Sequence, residues 1–185
     1  MIFLVGPGGA GKSSVGPLLA DLLQVTFVDL DTEFCGEVAD IPTYIRERGY
    51  RAYCEANAVL AESIVNGSSG DLVLATSSGF LVHDGCDDIV ERNLALIRRT
   101  GTSVYLQPAR DLDGAATVLA FRQVRRYPGL DLAAEAMIAH ARCGRYETAA
   151  DCTVLADCDP HEVANLISVE LLLRQSHADG TPPGP

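Results

Sequence analysis

Residues 3–16 read FLVGPGGAGKSSVG, an apolar run that enters a glycine-rich loop and leaves it through a lysine and two serines. Gly6, Gly11, Lys12 and Ser13 match the pattern G-x-x-x-x-G-K-[ST]. That pattern carries chemistry only between a strand and a helix. Both are expected here. Residues 2–5 suit a short buried strand, and residues 12–23 a helix with Val15, Leu18, Leu19, Leu22 and Leu23 on one face. Pro17 falls near the first turn of that helix, where proline is best tolerated. Glycines let consecutive backbone N–H groups curl inward as an anion nest, and the helix adds its positive end. Gly8, Gly9, Ala10, Gly11 and Ser14 are therefore expected to cradle phosphates. Lys12 is expected on the β- and γ-phosphates and the Ser13 hydroxyl on magnesium. The loop predicts a nucleoside triphosphate and leaves the phosphate acceptor open.

The rest of the chain alternates strand and helix patterns. Strands are expected at 26–30, 72–76, 103–106 and 152–155. Helices are expected at 41–65 (broken around Gly49), 87–100, 109–120, 133–146 and 160–175. Between the last helices lies FRQVRRYPGLDL, residues 121–132, basic and interrupted by proline and glycine. The tail from Ser176 is expected to be disordered, which leaves one domain over residues 1–175. Such alternation predicts an α/β fold, with a five-stranded parallel sheet covered by helices on both faces.

The chain has 185 residues, 48% of them apolar, and carries 25 acidic against 14 basic groups, for a formal charge of −11. That balance repels nucleic-acid backbones and anionic membranes, so neither is an expected partner. Any anionic ligand must be gathered by a local cluster of cations. No segment approaches the roughly 18 apolar residues of a membrane span, and no signal peptide is visible. Cys35, Cys54, Cys86, Cys143, Cys152 and Cys158 form no CxxC pair. They read as reduced, structural thiols of a cytoplasmic protein. His83, His140, His161 and His177 are scattered with no acidic partner evident, and read as structural or surface residues.

FVDLD at 27–31, LATSSG at 74–79, the basic segment, RCGRYETAADCTV at 142–154 and DCDPHEV at 157–163 follow the phosphate loop in order. In these motifs and their spacing, over roughly residues 1–170, the chain resembles the shikimate kinase family. The resemblance implies a P-loop fold with a mobile lid at about 121–132, ATP and Mg2+ as cofactors, and phosphoryl transfer to a hydroxyl of a small polar acceptor. It further implies a place in aromatic amino acid biosynthesis, and a monomer is expected. It gives Asp29 a role beside magnesium, and gives Asp31 the acceptor hydroxyl as orienting group or base. Arg126 is first choice for the lid arginine over the transferring phosphoryl group, with Arg122 or Arg125 as alternatives. Arg142 is expected on the acceptor carboxylate in preference to Arg145, and Pro160 near adenine.

Two departures stand out. Where the family runs into three glycines, this chain has Ser77, Ser78 and Gly79, so two side chains stand where backbone approaches the acceptor. Cys54 aligns with a second carboxylate-binding arginine, and Arg51, one helical turn earlier, is expected to replace it. Three alternatives therefore remain beside shikimate phosphorylation. One is a kinase of a related cyclitol or sugar acid. Another is a nucleoside-monophosphate or gluconate-type kinase. The third is nucleotide binding without kinase activity.

Overall fold

Strand β1 (Ile2–Val5) lies at the centre of a five-stranded sheet in which every neighbouring pair runs parallel. With β2 (Thr26–Asp29), β3 (Leu72–Ala75), β4 (Thr102–Gln107) and β5 (Cys152–Leu155), the sheet order is β2-β3-β1-β4-β5. This computed structural model describes residues 1–83 and 85–178. Ile2 lies opposite Val73 on one side and Thr102 on the other, so the phosphate loop leaves the middle of the sheet at its carboxyl end. Open parallel sheets bind ligands at that end.

Eight helices complete the described residues: α1 (Lys12–Leu23), α2 (Leu30–Glu37), α3 (Ile41–Arg48), α4 (Tyr50–Gly67), α5 (Asp87–Thr100), α6 (Leu112–Arg126), α7 (Leu132–Ala149) and α8 (Pro160–Ala178). The strands alternate their side chains between two cores. Leu4, Val73, Val104 and Leu106 pack with Val15 and Leu19 of α1, Leu119 of α6 and Ile167 of α8. Phe3, Val5, Leu74 and Tyr105 face the other way, onto Ala61 and Val65 of α4 and Leu96 and Ile97 of α5. Arg92 of α5 clasps Glu62 of α4 with two hydrogen bonds of 2.9 and 2.8 Å and reaches Glu55 at 2.7 Å. No helix of the described residues is long and apolar enough to cross a membrane.

Three elements differ from expectation. Leu30 opens α2 instead of ending β2, because the Asp29 carboxylate accepts from Asp31 N and Thr32 N at 3.1 Å and so caps a helix start. Helix α6 runs on through residues 121–126, so half of the basic segment is helical and the chain breaks only at Tyr127, before Pro128 and Gly129. Helix α8 reaches Ala178, three residues past its expected end, and residues 179–185 of the expected tail lie outside the described residues.

One polar clasp joins β4 to the start of β5. Asp151 Oδ2 accepts from both Ser103 N and Ser103 Oγ at 2.7 Å, and Ser103 is 1% exposed. Asp151→Ala leaves these buried donors unpaired. It is expected to cost about 1–3 kcal/mol, read as a lower midpoint in urea unfolding.

Candidate active site

The phosphate loop takes its shape from glycines in the left-handed region, Gly9 at φ 85° and Gly11 at φ 101°. A β-carbon is strained at such angles, which is why glycine recurs here. The loop closes on itself through Ala10 N to Pro7 O at 3.2 Å. Lys12, only 8% exposed, donates from Nζ to Gly6 O at 2.6 Å and Pro7 O at 3.1 Å. Burial pulls its pKa down from 10.5 to about 8, against the opposing pull of Asp31 and then Asp29. The charges of Arg142 and Arg126 push in the same direction as burial.

The end of β2 brings two carboxylates to this loop. Ser13 Oγ donates to Asp29 Oδ2 at 2.6 Å, so a hydroxyl and a carboxylate oxygen stand side by side. Oxygen pairs of this kind suit a hard divalent cation such as magnesium. Asp31 faces the other way. Its Oδ1 accepts from Ser77 Oγ at 2.6 Å and from Tyr53 OH at 3.3 Å. Burial first, and the Asp31 charge second, raise the Tyr53 phenol well above its usual range, so it stays a donor.

Both carboxylates line a cavity of about 360 Å³ with the loop residues 8–14, Thr76 and Ser78. Arg122 and Arg126 form part of its wall, and Pro160 lies near Cys158 and Val163 on another side. Arg122 Nη1 donates to Gly9 O at 2.8 Å, which ties α6 directly to the phosphate loop. The Arg126 guanidinium stands 5.4 Å from the Tyr127 ring centroid. Arg122 and Arg126 thus reach the cavity that the basic segment was expected to cover. Arg142 is half-buried, and its charge acts on Lys12, Tyr50 and Cys54 alike, which puts it beside the acceptor side of the loop.

The altered glycine strand end is built into the wall. Ser77 spends its hydroxyl on Asp31 instead of facing an acceptor, and the Ser78 carbonyl accepts from Tyr146 OH at 3.0 Å. Gly79 leaves room for Tyr50, whose hydroxyl would stand 2.8 Å from any β-carbon there.

Arg51 lies away from the place expected for it. Its guanidinium turns outward and grips Asp88 with bonds of 3.1 and 2.6 Å, with a third bond to Gly85 O at 3.1 Å. Its partner is an aspartate near the start of α5, 37 residues on. Arg51→Ala is accordingly expected to leave the Michaelis constant of the acceptor unchanged in steady-state kinetics. His140, expected without an acidic partner, lies 3.3 Å from Asp113 on the surface.

Tyr53, Thr76 and Tyr146 escaped sequence reasoning. The signal for Tyr53 was slight: it lies three residues after Tyr50 on one helical face.

A family model described as shikimate kinase matches residues 8–171. A shikimate kinase from Chlorobaculum parvum is 38% identical over 115 residues, which cover 60% of this chain and 56% of that protein. One from a Marinomonas species is 34% identical over 97 residues, covering 52% and 53%. The chain thus spans about half the length of the curated relatives it matches. Among solved structures, a shikimate kinase from Acinetobacter baumannii in complex with shikimate superposes with TM-score 0.76 at 26% identity, over 94% of this chain and 93% of that one. The Aquifex aeolicus shikimate kinase, at 22% identity and TM-score 0.72 over 94% and 97%, shares the fold. With a family match across most of its length and the motif residues gathered at one cavity, the chain belongs to the shikimate kinase family.

Proposed function

We propose that this chain is an ATP- and magnesium-dependent kinase that transfers the γ-phosphoryl group of ATP to a hydroxyl of shikimate. One observation carries the reading. The Asp31 carboxylate is aimed by Ser77 and Tyr53 at the same cavity that holds the Lys12 loop and the Ser13–Asp29 pair. A nucleotide site alone has no use for a second, separately oriented carboxylate. Asp31 Oδ2 is left to hold the acceptor hydroxyl and draw its proton as the oxygen attacks. Lys12, its pKa drawn down to about 8 by burial, gains a partner in the phosphates and stabilises the charge that moves to them. Ser13 and Asp29 would hold magnesium, which would supply positive charge against that of the phosphates. Arg126 and Arg122 close the cavity over the transferring group and keep water away. Arg142 takes the carboxylate of the acceptor. The free thiols fit a reducing, cytoplasmic setting.

A second reading has its own support. With Ser77 and Ser78 in the wall and Arg51 held by Asp88, the acceptor side differs in shape and charge from what the resemblance implies, which favours a related cyclitol or sugar acid. A panel of shikimate, quinate, gluconate and nucleoside monophosphates, each scored by phosphorylated product in mass spectrometry, separates the two. Product from shikimate alone supports the first reading, and product from another acceptor alone replaces it.

A further inference from the structure

Three metal-ligating side chains outside the phosphate site converge on one point. Cys54 lies on α4, His83 in the β3–α5 connection, and Cys86 at the N-cap of α5. One ligand atom from each, two sulfurs and a ring nitrogen, lie within 4.8 Å of one another. We propose that Cys54, His83 and Cys86 form a binding site for a single soft divalent cation, zinc in the first instance.

The geometry is close to what zinc requires. Its bonds to sulfur and imidazole nitrogen are about 2.0–2.3 Å, so tetrahedral ligand atoms stand roughly 3–4 Å apart. A small rotamer adjustment closes the remaining gap. The cavity these residues share has room of only about 10 Å³, which fits one small occupant. The ligand types also select the ion. Two sulfurs and an imidazole favour zinc over magnesium or calcium, which go to oxygens such as those of Ser13 and Asp29. On binding, each thiol gives its proton to solvent as its metal–sulfur bond forms, and His83 binds through a neutral ring nitrogen. Two thiolates then neutralise the dication, which removes the main cost of burying it.

An independent observation points to an occupant. Asn57, 3% exposed, lines the same cavity, and its Nδ2 finds no hydrogen-bond partner among the described residues. Buried amide donors are rarely left so. Three protein ligands leave a fourth position for a solvent oxygen, and Asn57 supplies a donor on that wall. Tyr50 stacks against the His83 ring with centroids 4.1 Å apart, which restricts the imidazole. The metal would fasten α4 to the β3–α5 connection beneath the surface bonds of Arg51, beside the small apolar group of Ala58, Cys86 and Ile89.

The test is a cobalt(II) titration of the full chain, metal-free and kept reduced with a phosphine. Thiolate-to-cobalt charge transfer in the near ultraviolet and tetrahedral ligand-field bands in the visible report the site. The proposal expects both bands to saturate at one equivalent and to bleach when zinc is added. Cys54→Ser and His83→Gln should each weaken binding by more than the roughly 10–100-fold that loss of a mere supporting residue costs. Cys35→Ser and Cys158→Ser, at exposed thiols, should change nothing. Circular dichroism and nucleotide binding check that each variant is folded. Because Cys86 is buried, the outcome is judged on the other two ligands. Absence of the charge-transfer band at one equivalent, or a band that persists in folded Cys54→Ser and His83→Gln, overturns the proposal. Neither readout involves phosphoryl transfer, so the result is independent of the kinase reading.

Discussion

Lys12→Ala is expected to lower kcat by about 10²–10³-fold, the loss typical of removing one preorganised stabiliser of transition-state charge. The fold should survive, because Lys12 bonds only to carbonyls of its own loop, Gly6 O and Pro7 O. The same residue makes a pH prediction. Burial holds its pKa near 8 in the free protein, and phosphates bound beside it favour the charged form. Between the free and the bound pKa, the complex carries more protons than the free protein. Nucleotide binding at about pH 9 should therefore take up a proton, and affinity should fall as pH rises above about 8. Calorimetry in two buffers of different ionisation heat checks this, with Lys12→Ala showing no uptake from this site.

Asp31→Asn should lower kcat by about 10²–10⁴-fold, the range for a positioned general base. Asparagine keeps an oxygen able to accept from Ser77 and Tyr53, so the wall is preserved. What disappears is the charge and the ability to take the acceptor proton. Nucleotide affinity should change far less than turnover, because Ser13 and Asp29 are bonded to each other and Asp31 acts on Lys12 only through its charge. Steady-state rates together with nucleotide titration test both halves. A variant that loses nucleotide affinity as much as turnover would assign Asp31 to the nucleotide and not to the acceptor.

The scaffold was legible because its signals are local. The apolar strands, the 3.6-residue pattern of α1 and the glycines of the phosphate loop each declare themselves within a dozen residues. The carboxylate pair and the arginines of α6 could be read from motif order, since they sit where chain direction alone places them, at the carboxyl end of the sheet or beside it. Helix α2 was missed because Asp29 serves both as strand end and as helix cap, and its eight residues show little apolar period. The fate of Arg51 was hidden because its partner, Asp88, lies on another helix. The same holds for Tyr53, which meets Asp31 across 22 residues, and for Cys54, brought to His83 and Cys86 only when α4 packs against α5. Pairings between distant segments follow from packing, and single-sequence patterns do not encode them.

The most direct test of the central claim is initial-rate ADP release with ATP and magnesium, with and without shikimate, using Lys12→Ala as the blank. The account predicts a shikimate-dependent rate on the order of 1–100 per second that the blank lacks. Tight nucleotide binding with no stimulation by shikimate would contradict it.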